Sequence, residues 1–233
     1  MPSRLVLWDI DGTLLRSGGV GRTAFDVAVE RALGRHPGEH GVSMGGMTDP
    51  QITREILAFA AVAADEVETH LPVVLEHLEA ALAEAAHEIR SSGEVLPGVP
   101  ELLAALDADP DVVSTVLTGN TRANAALKLS TLGLAGWLDL AIGAYGSDDA
   151  DRRKLVPIAL ARAGRARGLR VDPAAAWVVG DTVHDLACAR AGGARCLLVG
   201  TGRPPLAELE AAGADAVLAD LSDVDAVLAL LRS

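Results

Sequence analysis

From residue 99 onward the chain switches repeatedly between helix-like and strand-like patterning, and this alternation constrains the fold more than any other feature. Val99, Leu102, Leu103 and Leu106 repeat at helical spacing, and residues 112–117 form an apolar, β-branched run that stops at Thr118-Gly119-Asn120. Helices are then expected near 121–132, 153–167, 183–191 and 205–212 and at the C-terminus. Strands are expected near 139–143, 175–180, 194–199 and 215–218. Residues 4–9 add one more buried strand at the start. Strands that alternate with helices imply an α/β fold, a parallel sheet covered on both faces. Ligands of such sheets bind beyond the carboxyl ends of the strands. Three apolar strands here end in polar clusters: Asp9-Ile10-Asp11, Thr118-Gly119-Asn120 and Gly180-Asp181. In a parallel sheet all three clusters meet at one edge.

Residues 16–95 follow a different rule. No strand is expected there. Helical periodicity covers roughly 21–34, and Leu71, Val74, Leu75, Leu78, Leu82, Ala85 and Ile89 form one apolar stripe. Pro72 is expected in the first turn of that second helix. The glycine- and proline-rich stretch 35–50 reads as loop. The expected organisation is therefore a core from 1–15 and 96–233, interrupted by a helical cap from 16–95. Because the insert leaves just after the first polar cluster, it can cover that edge as a lid.

Bulk properties narrow the partners. The 233 residues carry a formal net charge of −12, and no basic stripe is visible. Nucleic-acid binding, which relies on clustered Lys and Arg, is disfavoured. No run reaches the length and apolarity of a membrane span, and no secretory leader pattern opens the chain, so the expected setting is the cytoplasm. Cys188 and Cys196 lack metal-ligand spacing and are expected as reduced, packed thiols. A small anionic substrate on so acidic a protein would require local cations or a metal.

Asp9 and Asp11 stand two residues apart at a strand end, so their side chains share one side. A carboxylate can attack as a covalent nucleophile, and its neighbour can protonate a leaving oxygen and later deprotonate water. An isolated Asp-x-Asp-Gly is also an ordinary turn. The longer string DIDGTLL after an apolar strand favours chemistry over the turn.

The stretch LVLWDIDGTLL resembles the first motif of the haloacid dehalogenase superfamily. VLTGN resembles the second motif of that superfamily and WVVGDTVHD the fourth, in the expected order across essentially the whole chain. LPGVPELLAAL resembles the segment where such chains re-enter the core from the cap. The helical insert resembles the type-one cap of the phosphoglycolate phosphatase-like branch. The resemblance implies a Rossmann-like core and a magnesium-dependent phosphatase acting on a small phosphorylated metabolite. Asp9 would form an aspartyl-phosphate, and Asp11 would act as general acid and then base. Thr118, with Gly119 and Asn120, would bind the phosphoryl group. The implied Mg2+ would be held by the Asp9 carboxylate, the Asp11 carbonyl and Asp181, with Asp185 orienting a metal-bound water.

The third motif supplies a cation, often as KPxP. Here the stretch is DADRRKLVPIALARA. Lys154 has K-x-x-P spacing with Pro157 and is ranked ahead of Arg152, which could fill the same role from an earlier helix start. In the cap, GGVGRTAF and GGMTD stand where that branch places substrate-facing loops. Arg22 could grip a substrate carboxylate, and Thr48 and Asp49 could face a polar leaving group, although Thr48-Asp49-Pro50 also has the pattern of a helix cap. Dehalogenation is disfavoured because those relatives lack the acid at the Asp11 position. Phosphonate cleavage would need a cap lysine, and 16–95 has none. A phosphomutase of the β-phosphoglucomutase type and a non-catalytic metabolite-binding protein remain as alternatives.

Overall fold

A computed structural model describes residues 4–233; residues 1–3, which open the expected core segment 1–15, lie outside the described residues. The strands are β1 (Arg4–Trp8), β2 (Leu15–Arg16), β3 (Glu94–Val95), β4 (Val112–Thr118), β5 (Ala144–Tyr145), β6 (Ala176–Gly180), β7 (Arg195–Val199) and β8 (Ala216–Leu218). The helices are α1 (Val20–Leu33), α2 (Asp49–Phe59), α3 (Ala64–Glu84), α4 (Ala86–Ser92), α5 (Val99–Asp107), α6 (Arg122–Thr131), α7 (Leu155–Arg167), α8 (Val183–Gly192), α9 (Leu206–Ala211) and α10 (Val224–Leu231).

Six strands form one sheet in the order β5-β4-β1-β6-β7-β8, and every pairing is parallel. β1 is central because it is apolar on both sides. Val6 and Trp8 face the layer built by α5, α6 and α10, whereas Leu5 and Leu7 face α7, α8 and α9. This period-two division is what a sheet buried on both faces demands. Cys188 and Cys196 are buried free thiols in the second layer. Trp8 pairs in register with Val116 of β4 and Val179 of β6. The strand ends that follow are therefore level, and the three polar clusters share one edge, as the alternation predicts.

Helices α1 to α4 have their own apolar cluster, with Phe25, Val29, Ile52, Ile56, Leu57, Val74, Leu78, Leu82 and Ile89 buried together. Two expectations are corrected here. α3 starts at Ala64, seven residues earlier than the leucine stripe suggests, so Pro72 lies inside the helix rather than in its first turn. The missing N–H of Pro72 is tolerated in a helix held by tertiary packing of one face. The strand-free segment 16–95 also has a strand at each end. Leu15 pairs with Val95 and Arg16 with Glu94 in a two-stranded antiparallel ribbon, at the point where the chain leaves the core and returns. Runs this short carry no period-two signal. The strand expected near 139–143 is a turn, and β5 occupies Ala144–Tyr145 instead. Asp139 caps that turn by accepting from the Ala141 amide at 3.2 Å.

Candidate active site

The first cluster is held by backbone turns at the end of β1. The Asp9 amide donates to the Val179 carbonyl at 2.9 Å, extending the parallel pairing by one residue. Gly12 has φ +89°, and its amide donates to the Leu15 carbonyl at 2.8 Å. A Cβ at Gly12 would stand 2.6 Å from Asp181 Oδ2, so glycine satisfies both the left-handed turn and the approach of that carboxylate.

Asp9, Asp181 and Asp185 bring carboxylate oxygens within 4.8 Å of one another, and all three side chains are buried. Arg152 reaches the same point, with Nη2 at 3.0 Å from Asp9 Oδ1 and in contact with Asp185 Oδ1. Its Nη1 donates to the Gly46 carbonyl at 3.2 Å, and its buried Nε has no hydrogen-bond partner. Asp185 is saturated: Oδ1 meets Arg152, and Oδ2 accepts from the Thr182 amide at 3.0 Å and hydroxyl at 2.7 Å. Asp181 is more open, with Oδ1 accepting from Thr13 Oγ1 at 3.3 Å. Burial, outweighing the Arg152 charge and joined by repulsion from Asp185 and Asp11, pushes Asp9 up to about 6. Burial, with repulsion from Asp9 and Asp185, pushes Asp181 up to about 8.

These residues fit a hard divalent cation. Three buried carboxylates face one guanidinium, an excess of two negative charges. All-oxygen donor sets suit Mg2+ rather than softer metals. Asp9 and Asp181 retain oxygens for direct ligation, whereas both Asp185 oxygens are already bonded.

Asp11 has a different environment. Its Oδ2 accepts from Lys128 Nζ at 2.6 Å and from Asn120 Nδ2 at 2.9 Å. Burial opposes ionisation of Asp11, but the Lys128 charge and the hydrogen bonds from Lys128, Asn120 and Ser17 prevail and hold the carboxyl below its usual range. Lys128 also donates to Asn120 Oδ1 at 2.7 Å, and Asn120 Nδ2 donates to the buried Thr118 Oγ1 at 2.8 Å. The two neighbouring aspartates thus meet different cations, Asp9 with Arg152 and Asp11 with Lys128.

The structure separates the other expected site residues. Lys154, expected ahead of Arg152 as the third-motif cation, lies on the surface and pairs with Asp149 at 2.9 Å, its side chain 61% exposed. Residues 152–154 form a single 3-10 turn capped by the Asp151 side chain. Successive side chains of such a turn diverge by roughly 120°, so Arg152 points in and Lys154 out. Thr48 and Asp49, expected to face a leaving group, are buried and bonded to the core. Thr48 is the N-cap of α2 in a capping box with Gln51, and its hydroxyl donates to the Ala150 carbonyl at 2.9 Å. Asp49 Oδ2 accepts from the Thr121 amide at 2.8 Å and Asn124 Nδ2 at 3.0 Å. The Asp49 amide donates to the Gly119 carbonyl at 2.7 Å. Gly119 thus serves close approach, since a Cβ there would collide with the Met47 carbonyl. Arg22 donates to the Val42 carbonyl at 2.7 Å inside the insert. It borders a cavity of about 270 Å³ whose lining includes Asp26, His36 and His40 but none of the clustered aspartates.

The family profile described as haloacid dehalogenase-like hydrolase matches residues 6–190, which spans β1, the insert, β4, Arg152 and Asp181. The chain belongs to this family. Solved structures with the same fold include a hydrolase from Pseudomonas syringae, 21% identical, covering 100% of each chain at a TM-score of 0.71. A predicted phosphatase from Clostridium acetobutylicum is 18% identical over 98% of this chain and 100% of its own, with a TM-score of 0.71. A predicted phosphoglycolate phosphatase from Haemophilus somnus is 17% identical over 97% and 98%, with a TM-score of 0.69. No curated protein gives a significant match. Within this haloacid dehalogenase-like hydrolase, the residue that sequence reasoning missed is Lys128. Its signal was present: only Lys128 and Lys154 occur in the chain. Scarcity marks Lys128 as much as Lys154, and K-x-x-P spacing drew attention to only one of them.

Proposed function

We propose that the protein is a magnesium-dependent phosphomonoesterase that removes the phosphoryl group of a small metabolite through an aspartyl-phosphate on Asp9. The observation that carries this reading is the division of labour between two carboxylates two residues apart. Asp9 sits in the buried cluster with Arg152, Asp181 and Asp185, whereas Asp11 stands outside it, its side chain 40% exposed and tied to Lys128.

Asp9 attacks phosphorus with a carboxylate oxygen. Arg152 holds Asp9 and places its positive charge beside the phosphoryl oxygens. Thr118 Oγ1 lies beside the same strand end to donate to the phosphoryl group. Asp11, ionised in the free protein, gains a proton when the anionic phosphoryl group binds beside it, delivers that proton to the leaving oxygen in the first half-reaction and takes one from the attacking water in the second. The Asp9 carboxylate, the Asp11 carbonyl and Asp181 would hold Mg2+, which would supply positive charge against the phosphoryl oxygens and the crowded carboxylates, while Asp185 braces Arg152 and the α8 N-terminus. The names of the phosphatase neighbours support phosphate ester chemistry. The insert, bonded to the core at Gly46, Thr48 and Asp49, suits a small substrate, since large ones would be kept from the edge. No helix among the described residues is long and apolar enough to cross a membrane.

Purified protein is expected to release phosphate from 4-nitrophenyl phosphate with Mg2+ and to lose that activity in excess chelator. A panel of phosphorylated metabolites, with isomerisation followed beside phosphate release, then identifies the substrate. Absence of hydrolysis across the panel at several pH values would overturn the reading, and isomerisation without net release would replace it with a mutase.

A further inference from the structure

The Lys128 ammonium is an expensive group to hold where it is. Its side chain is 7% exposed, and a buried charge persists only when paired and hydrogen-bonded. Its two hydrogen-bond acceptors, Asp11 Oδ2 at 2.6 Å and Asn120 Oδ1 at 2.7 Å, both belong to the edge where the strands end. Asn120 closes the arrangement by donating to the same Asp11 Oδ2. The contacts from Lys128 and Asn120 converge on one oxygen, and Oδ1 receives neither. Lys128 projects from the second turn of α6, whose N-terminus is fixed by the Thr121 cap and by Asn124 bonded to Asp49. A rigid element therefore presents the ammonium to an acid that is otherwise partly exposed and held only by a hydrogen bond from Ser17 in the loop before α1.

We propose that Lys128 is a positioning residue for the reaction: with Asn120 it clamps Asp11 by Oδ2, so that Oδ1 faces the leaving oxygen. This inference rests on the phosphatase reading above, and it assigns Lys128 a task separate from that of Arg152, which holds the nucleophile. A side chain that must transfer a proton works only when it is oriented toward the reacting atom. An unclamped Asp11 loses most of its value where the leaving group needs that proton, and little where it does not.

The test compares phenyl phosphate with 4-nitrophenyl phosphate. The two esters are similar in shape, but nitrophenolate departs readily without a proton. In Lys128→Met, kcat/KM for phenyl phosphate is expected to fall at least about tenfold more than for 4-nitrophenyl phosphate, within the range of acid catalysis. Lys128→Arg should restore part of the difference. Lys128→Gln, which keeps a donor and similar bulk, carries the comparison if the Met variant does not fold. An equal loss on both esters would show a merely structural role and overturn the proposal, as would no loss on either. Failure of the wild-type protein to hydrolyse either ester with Mg2+ would instead overturn the phosphatase reading.

Discussion

At the residue scale, the site is a problem of crowded negative charge. Asp9 and Asp181 are pushed up to about 6 and about 8 because they are buried beside one another and beside Asp185. In the unfolded chain both would titrate near the ordinary carboxyl value of about 3.9. The folded metal-free protein therefore binds more protons than the unfolded chain between about pH 4 and 8, and its stability falls as pH rises through that window. In chelator, the melting temperature is expected to drop from pH 5 to pH 8.5. Added Mg2+ should raise it, and by more at pH 8.5 than at pH 5. A chelator melt that rises with pH would contradict the charge arrangement. Asp9→Asn removes one of the repelling charges. It should abolish phosphate release while leaving the chelator melting temperature unchanged or higher, and normal turnover would exclude Asp9 as nucleophile.

The two candidate cations are separable by the same logic. Arg152→Met strands Asp9 and Asp185 without their shared partner and is expected to abolish activity and destabilise the fold by about 3 kcal/mol or more. Lys154→Met removes an exposed pair with Asp149 and should change stability by less than about 1 kcal/mol, with activity retained. Titration melts and phosphate-release rates on the two variants check this directly. Asp9, Asp11, Thr118 and Asp181 were legible in the sequence because each sits at the end of an apolar strand, where a linear pattern fixes position. Arg152 and Lys128 were less so. One depends on the phase of a single 3-10 turn, and the other on a helix bringing its second turn over the strand ends; spacing along the chain encodes neither.

At the scale of elements, residues 45–49 form a strap from the insert across the core edge. Arg152 reaches the Gly46 carbonyl, Thr48 donates to the Ala150 carbonyl, and Asp49 bonds Gly119, Thr121 and Asn124. Burial, only partly offset by Lys128 and by these hydrogen bonds, raises Asp49 above the usual carboxylate range. Asp49→Ala leaves the Thr121 amide and Asn124 side chain without their acceptor, a loss of about 1–3 kcal/mol. It should also loosen the strap, seen as faster hydrogen exchange in residues 45–49 and a raised KM. Unchanged exchange and KM would mean that the strap is held by packing alone. Capping chemistry accounts for the two readings of Thr48 and Asp49: the polar side chains that close a helix start are also those that bind a polar ligand.

At the scale of the whole molecule, the parallel pairing of the sheet follows from the alternation that the sequence displays, whereas the central place of β1 in the strand order is read from the structure. Parallel strands need crossover helices, and each expected crossover is present between β4 and β8. What the alternation does not carry is the ribbon at the junction. Its four residues are too few for a pattern, and their pairing is decided only when both ends of the insert meet. With a net charge of −12 the protein repels anions at large, and the buried Arg152 and Lys128 supply positive charge at the site.

That ribbon has an engineering consequence. Arg16 and Glu94 are ladder partners, and adjacent strands lie about 5 Å apart. The chain thus departs and returns through what amounts to a single doorway, and a short glycine loop could join the two sides after residues 17–93 are excised. Leu127 and Leu132, which pack against the insert, would need polar replacements in the trimmed protein. Such a minimal core should keep its far-ultraviolet circular dichroism signature and accept bulky phosphate esters, even phosphorylated peptides, that the full chain turns away. Collapse of the trimmed chain would show that the lid is also a folding partner of the body it covers.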